Sequence, residues 1–204
     1  FFDALPIPQF GKTEQGWHEI MVGQQQDALC FVDGPLLETA QLPAQNLPNV
    51  EPGDIIETCA ASDAVVKSLA DKLQTQGGAA LIIDYGYRLA AAGDSFQALH
   101  QHQFVEPLEA PGHADLTAHV NFQSLKESAL QAGLIGTEII NQGDFLAALG
   151  LDIRAASLIQ ATPEKAGQIG SERDRLAAPD QMGHLFKVLA IASPDCPPLA
   201  GFAP

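Results

Sequence analysis

The apolar spacing changes period within residues 62–84, and that change gives the clearest prediction along the chain. Val65, Val66, Leu69, Ala70 and Leu73 recur at helical spacing behind Ser62 or Asp63 as an N-cap, and Gly77-Gly78 offers the stop. Residues 79–83 are then uniformly apolar, which predicts a strand buried on both faces and terminated by Asp84. Helix, glycine turn and buried strand make half of a βαβ unit, so the pattern points to an open α/β sheet.

Other stretches give shorter elements. Residues 17–22 and 28–32 read as two strands of a hairpin around GQQQD, and residues 34–54, rich in Pro, Gln and Asn, read as a surface loop. From Asp84 to Asn121 no regular element stands out, except a short helix within DSFQALHQHQF. Asn121 caps a helix carrying Phe122, Leu125 and Ala129, closed by Gly133. Residues 137–140 form a short strand candidate, and GDFLAALGL and DIRAASLIQ read as two short helices. Pro163 opens a further helix that runs toward Leu176, and residues 185–192 form the last strand. Trp17 and Phe186 are expected in the core, Lys187 as a lysine snorkelling from a strand end, and Gln142-Gly143 as a turn.

At 204 residues and 46% hydrophobic, the chain can bury a sizeable core. A formal net charge of -15 argues against a nucleic-acid groove, which needs a basic stripe, and is compatible with a cationic partner or substrate. Cys30, Cys59 and Cys196 form neither a CxxC pair nor an even framework, as in a reducing compartment. No apolar run approaches the ~18 residues of a membrane span. FFDALPI opens with Phe and without a cap or polar lead-in, so the sequence reads as a portion of a longer protein.

Candidate chemistry concentrates after the strand at residues 79–83. Asp84 and Tyr85 follow its carboxyl end, the edge at which open α/β sheets bind ligands, and Gly86 permits close approach. Residues 84–121 hold His100, His102, His113 and His119, four of the six histidines, and set five carboxylates against Arg88 alone. His113, Asp115, Thr117 and His119 alternate, so an extended stretch would put them on one face over an apolar floor of Ala114, Leu116, Ala118 and Val120. That stripe could line a pocket for a cation or form a hydrogen-bonding network that pins the loop. Gln97 and His102 are candidates of the same kind. The spacings match no metal motif, and no metal is assigned.

FFDALPIPQF, KTEQGWHE, ALIIDYGY, GDSFQALHQHQF, PGHADLTAHVNF, NQGDFLAALGL and MGHLFKVLAIA, in this order, resemble the MidA-type family of S-adenosylmethionine-dependent methyltransferases. Its mitochondrial members are complex I assembly factors that act as protein-arginine methyltransferases. The resemblance covers nearly the whole chain, and PGHADLTAHVNF is its most specific piece. It implies an α/β fold, the Rossmann-like class I methyltransferase sheet, whose last strand is antiparallel. Residues 1–5 would follow the fourth strand, with 79–84 the fifth, 137–140 the sixth and 185–192 the seventh. The chain would be the C-terminal part of one such domain, with a substrate-side insert at 84–121 and a helical insert at 142–184. The cofactor loop, the acidic ribose ligand and an Asn-Glu pair would lie upstream, leaving this portion inactive alone.

The implied cofactor is S-adenosyl-L-methionine, with Phe1 and Phe2 walling its methyl pocket. Asp3 and Asp84 would be the catalytic carboxylates, side by side at one rim of the sheet, because gripping a guanidinium bidentately biases one nitrogen toward attack. Tyr85, Gln97, His102, His113, Asp115, Thr117 and His119 would face the substrate, a protein segment carrying a cationic arginine. For Asp3 the competing role is a helix or turn cap beside Pro6, and for Phe1 and Phe2 it is core. No nucleic acid or membrane insertion is expected. The place of action would be the bacterial cytoplasm or, alternatively, the mitochondrial matrix. A non-catalytic acidic docking factor and a metal-dependent hydrolase built on the histidines are the competing functions.

Overall fold

A computed structural model describes residues 1–38 and 50–202, so most of the loop expected over 34–54 lies outside the described residues. A 3-10 turn at Phe2–Ala4 precedes β1 (Gln9–Thr13), β2 (Gly16–Gln25), β3 (Ala28–Leu36) and β4 (Ile55–Glu57). Next come α1 (Ala60–Gln76), β5 (Ala79–Tyr87), β6 (Gln97–His100), β7 (Gln103–Val105), β8 (Asp115–Thr117) and β9 (Val120–Asn121). α2 (Phe122–Gln131), β10 (Ile135–Gly136), β11 (Ile140–Asn141), α3 (Gln142–Ala148) and α4 (Leu151–Ala161) follow. A 3-10 turn at Pro163–Lys165 leads into α5 (Ala166–Ala177), and α6 (Met182–Leu185) precedes β12 (Phe186–Ala192). The elements divide into two compact units, Phe1–Asp63 with Leu89–Asn121, and Ala64–Arg88 with Phe122–Pro204.

The first unit contains an antiparallel sheet in the order β3-β2-β1-β4. The expected hairpin is present and longer than the apolar runs implied, because Gln26 and Asp27 both take positive φ (48° and 64°) and close it in two residues. β1 and β4 escaped the sequence pattern, being five and three residues long. A second, smaller sheet runs β7-β6-β8. Here the short helix expected within DSFQALHQHQF is corrected to a β-hairpin. Gln101 and His102 adopt φ of 50° and 64°, which makes the same two-residue reversal without the glycine or asparagine that usually announces it.

In the second unit β12 is antiparallel to β5 from Phe186↔Tyr85 to Ala192↔Ala79, and antiparallel on its other side to β10 and β11. The last strand of the chain therefore lies between the fifth-strand and sixth-strand segments, with the reversed direction the resemblance implied. Val188, Leu189, Ala190, Ile191 and Ala192 are at most 2% exposed. Phe122, Leu125 and Ala129 form the buried stripe of α2, which packs on β12 and β5. α1 buries Val66, Ala70 and Leu73 and stops at Gly77 and Gly78, both at positive φ, as the spacing predicts.

Three local expectations fail in this unit. β5 is not buried on both faces: Leu81 and Ile83 are 51% and 42% exposed, while Ile82 and Asp84 on the opposite face are buried. Asp84 does not end the strand, since the ladder continues through Lys187↔Asp84 and Phe186↔Tyr85. The strand expected at residues 137–140 is split into β10 and β11, because the Thr137 hydroxyl accepts the Ala190 N–H at 3.0 Å in place of a main-chain carbonyl. Gln142-Gly143 opens α3 instead of forming a turn: the Gln142 amide donates to the Leu176 carbonyl at 2.8 Å, and a Cβ on Gly143 would lie 2.5 Å from the Ala177 carbonyl oxygen.

Candidate functional site

The 3-10 turn at the start of the first unit holds Phe2 in the core and leaves Phe1 74% exposed, the two rings meeting edge to face at 5.5 Å. Asp3 follows. Its main-chain carbonyl accepts the Ala118 N–H at 2.9 Å. That backbone bond draws the turn onto the segment after β8. Between them lies a cleft of about 340 Å³ in which Asp3 and Thr117 share an apolar floor of Phe96, Leu116 and Ala118. Gln97 on β6 donates to the Thr117 hydroxyl at 3.2 Å, fixing its orientation. Asp3, Gln97 and Thr117 are thus brought together by main-chain pairing.

The same unit holds a polar network that residue spacing does not predict. Gln9 and Glu57 sit opposite each other in the β1–β4 register, and both are buried. The Gln9 amide nitrogen donates to Glu57 at 2.9 Å and to Asp94 at 2.8 Å, joining two carboxylates through its two hydrogens. Glu57 also accepts the Ser95 N–H at 2.8 Å and the Ser95 hydroxyl, and that hydroxyl accepts the His119 N–H at 2.9 Å. One buried carboxylate therefore ties residues 94, 95 and 119 to the main sheet. Its available signal was a carboxylate directly after Ile55-Ile56, the same apolar-to-acid step that singled out Asp84.

Asp84 belongs to the second unit, Asp3 to the first, and each is placed by its own surroundings. Asp84 is 5% exposed and accepts the Tyr85 N–H at 3.0 Å. Its cross-strand neighbour is Lys187, whose ammonium caps the His184 carbonyl and, at 3.4 Å, that of Leu185. Burial, with a smaller contribution from the positive charge of Arg88, holds the Lys187 pKa below the ordinary lysine value. Arg88 donates to the Ile139 carbonyl at 2.6 Å. Tyr85 points to the other face of β5, edge-on to Phe186 at 5.6 Å, so Asp84 and Tyr85 do not converge on one pocket. Trp17 and Phe186 are half-buried where core was expected, and Lys12 lies over the Trp17 ring at 5.8 Å.

The polar stripe holds only in part. Asp115 and Thr117 fall on β8, and Ala118 and Val120 are buried beneath, whereas Leu116 is exposed. His113 is exposed, with its carbonyl 2.5 Å from Nδ1 of His100, and His102 occupies the exposed turn between β6 and β7. His119 is positioned through its backbone bond to Ser95. Among the described residues no three His, Cys, Asp or Glu side chains gather as a metal set.

S-adenosylmethionine needs a backbone cradle for its polar end, commonly a glycine-rich strand-to-helix turn. The strand-to-helix junctions among the described residues are β4 to α1 through Thr58-Cys59, β9 to α2 and β11 to α3, and none carries a glycine ahead of the helix. Gly143, inside α3, is taken up by packing against Ala177. The residues present therefore fit no complete cofactor site. Phe1 and Phe2 present one apolar edge beside Asp3.

The profile of a family described as "Putative S-adenosyl-L-methionine-dependent methyltransferase" matches residues 1–139. The chain is 34% identical, over its whole length, to the Xenopus tropicalis mitochondrial protein arginine methyltransferase NDUFAF7, of which it covers 49%. To the human protein of that name it is 35% identical, over 94% of the chain and 43% of the relative. A solved structure from Burkholderia thailandensis bound to S-adenosyl-homocysteine superposes with a TM-score of 0.85 at 27% identity, over 99% of this chain and 54% of that one. A second from the same organism gives 0.86, covering 56% of that chain. The chain thus spans about half the length of the relatives it matches.

Proposed function

Since this chain belongs to the MidA-type family of S-adenosylmethionine-dependent methyltransferases, with their Rossmann-like fold, we propose that it forms the substrate-side portion of an enzyme that methylates arginine on a protein partner. The observation that carries this reading is the cleft in which Asp3 faces Thr117 over an apolar floor. S-adenosylmethionine supplies a methyl group already activated on a sulfonium. The protein's remaining tasks are to orient a nucleophile, exclude water and manage one proton. A guanidinium nucleophile is weak because its lone pairs are delocalised. A carboxylate such as Asp3 or Asp84 would accept its N–H groups, direct one nitrogen and receive the proton released. The polar end of the cofactor would be held by residues upstream of this chain. No described helix is long and apolar enough to cross a membrane. A bacterial enzyme of this kind would act in the cytoplasm, one like the mitochondrial relatives in the matrix, on a partner of the respiratory complex I machinery.

Methyl transfer to protein arginine, followed with labelled cofactor in protein that includes the upstream portion, tests the reading. Asp3→Asn and Asp84→Asn should each lower turnover at least ~10-fold, as expected for loss of a proton acceptor, while S-adenosylhomocysteine affinity changes little. Unchanged turnover would return both residues to structural roles. The 204-residue chain alone should bind S-adenosylhomocysteine at least ~100-fold more weakly than the longer protein, about 2.7 kcal/mol. A protein that binds the acceptor but transfers no methyl group would favour the docking function instead.

A further inference from the structure

A second cavity, of about 390 Å³, opens in the same unit, and Phe96 lines both. Phe31 and Phe96 meet edge to face at 6.4 Å in its wall, and Phe104, also in the lining, is 73% exposed. Two carboxylates, Asp94 and Glu106, complete the lining, and among the described residues no cationic side chain does. Asp94 is held through one oxygen by the Gln9 amide at 2.8 Å, and Gln9 is itself fixed by buried Glu57. The second Asp94 oxygen and the Glu106 carboxylate carry no hydrogen bond within the described residues. The cavity is therefore built for one kind of occupant: flat and apolar enough to lie against phenyl rings, positively charged, and rich in donors.

We propose that this cavity receives an arginine side chain of the protein partner, next to the one admitted by the Asp3–Thr117 cleft. This rests on the reading above that the acceptor is a protein. Guanidinium fits the lining better than ammonium does, because a planar, weakly hydrated fork can bridge two carboxylates while stacking on an aromatic face. A volume near the low end for ligand pockets suits one side chain. Phe96, shared by both cavities, makes them neighbouring subsites, so a segment with two closely spaced arginines would occupy both. Specificity then comes from a pair of cationic positions.

The test is binding by the 204-residue chain of fluorescein-labelled Gly-Arg-Gly-Arg-Gly and of its two single citrulline counterparts, which keep the shape and remove the charge. Wild-type chain should bind the double-arginine peptide about tenfold more tightly than at least one citrulline form. Asp94→Asn with Glu106→Gln should reduce that preference to under twofold. Glu106→Gln alone, on an exposed side chain outside the buried network, should cut it at least threefold, which guards against misfolding of the double variant. No arginine preference in wild type, or a preference untouched by Glu106→Gln, overturns the proposal. Methyl transfer is read separately, so a protein that methylates arginine while these peptides show no charge preference defeats the second subsite and leaves the enzyme intact.

Discussion

The two units of this chain are fastened by different physics. The second is held by apolar burial: β12 contributes five consecutive residues at most 2% exposed, and α2 adds Phe122, Leu125 and Ala129. The first has exposed Met21, Val22 and Phe31 on its long hairpin, and a polar hub in which buried Gln9 and Glu57 hold Ser95 and, through it, the His119 backbone. Apolar packing is tolerant and non-directional, whereas hydrogen bonds set position within tenths of an ångström. A scaffold suits the one, and a surface that must present carboxylates at fixed spacing suits the other.

The contrast is broken most severely by emptying the apolar unit. Leu189 and Ile191 are fully buried, so Leu189→Ala or Ile191→Ala should each cost about 2–5 kcal/mol in urea denaturation. A loss under ~1 kcal/mol at both would mean that β12 is not the keystone of its unit. Glu57→Ala probes the other unit. It strips acceptors from Gln9 and Ser95 and should cost about 1–3 kcal/mol. It should also loosen Asp94, so the arginine preference of the peptide assay should fall with it. Stability lost with the preference intact would show that the hub fastens without aiming.

The same division decides what the sequence could disclose. α2 was legible because Phe122, Leu125 and Ala129 state the helical period themselves, and β12 because an unbroken apolar run needs a buried strand. α3 and α4 were legible for the same reason, and the turn into α5 was announced by Pro163. The β6–β7 hairpin was hidden because Gln101 and His102 spend strain at positive φ where the usual turn residues are absent. The outward face of β5 was hidden because Leu81 and Ile83 look identical in sequence whether covered or not. At the candidate site, Thr117 could be named from alternation, Gln97 from its residue type, and Asp3 from the family resemblance. Glu57 could not, since its bond to Gln9 spans 48 residues, a pairing the β1–β4 register creates, and the Gln9 bond to Asp94 spans 85.

Lys187 sharpens the comparison from within the apolar unit, where a charge is costly. Its folded-state pKa is lowered, mainly by burial, so the protonated lysine opposes folding at neutral pH. As pH rises through the lowered value, the folded protein sheds the proton first and gains stability until the unfolded chain titrates near the ordinary 10.5. Lys187→Met removes this dependence. The difference in melting temperature between variant and wild type, Met minus Lys, should therefore decrease from pH 8 to pH 10.5. A constant difference would place the lysine in water.

The smallest effect is expected at the exposed margin of the same unit, at the ion pair between Lys126 Nζ and Glu138, 3.0 Å apart. The hydrogen bond and charge of Lys126 lower the Glu138 pKa below its ordinary 4.5. For a carboxylate so shifted, the stabilising contribution is complete above the unfolded value and disappears as pH falls through the folded one. Exposure to water and salt keeps that contribution small, because solvent screens the pair and two long side chains must be ordered to form it. Glu138→Gln should therefore lower the melting temperature barely measurably at pH 7 in low salt, and not at all at pH 3 or in 1 M salt. A large loss at pH 7 would mean that surface charge fastens this unit as well, and the sharp division between an apolar unit and a polar one would fall.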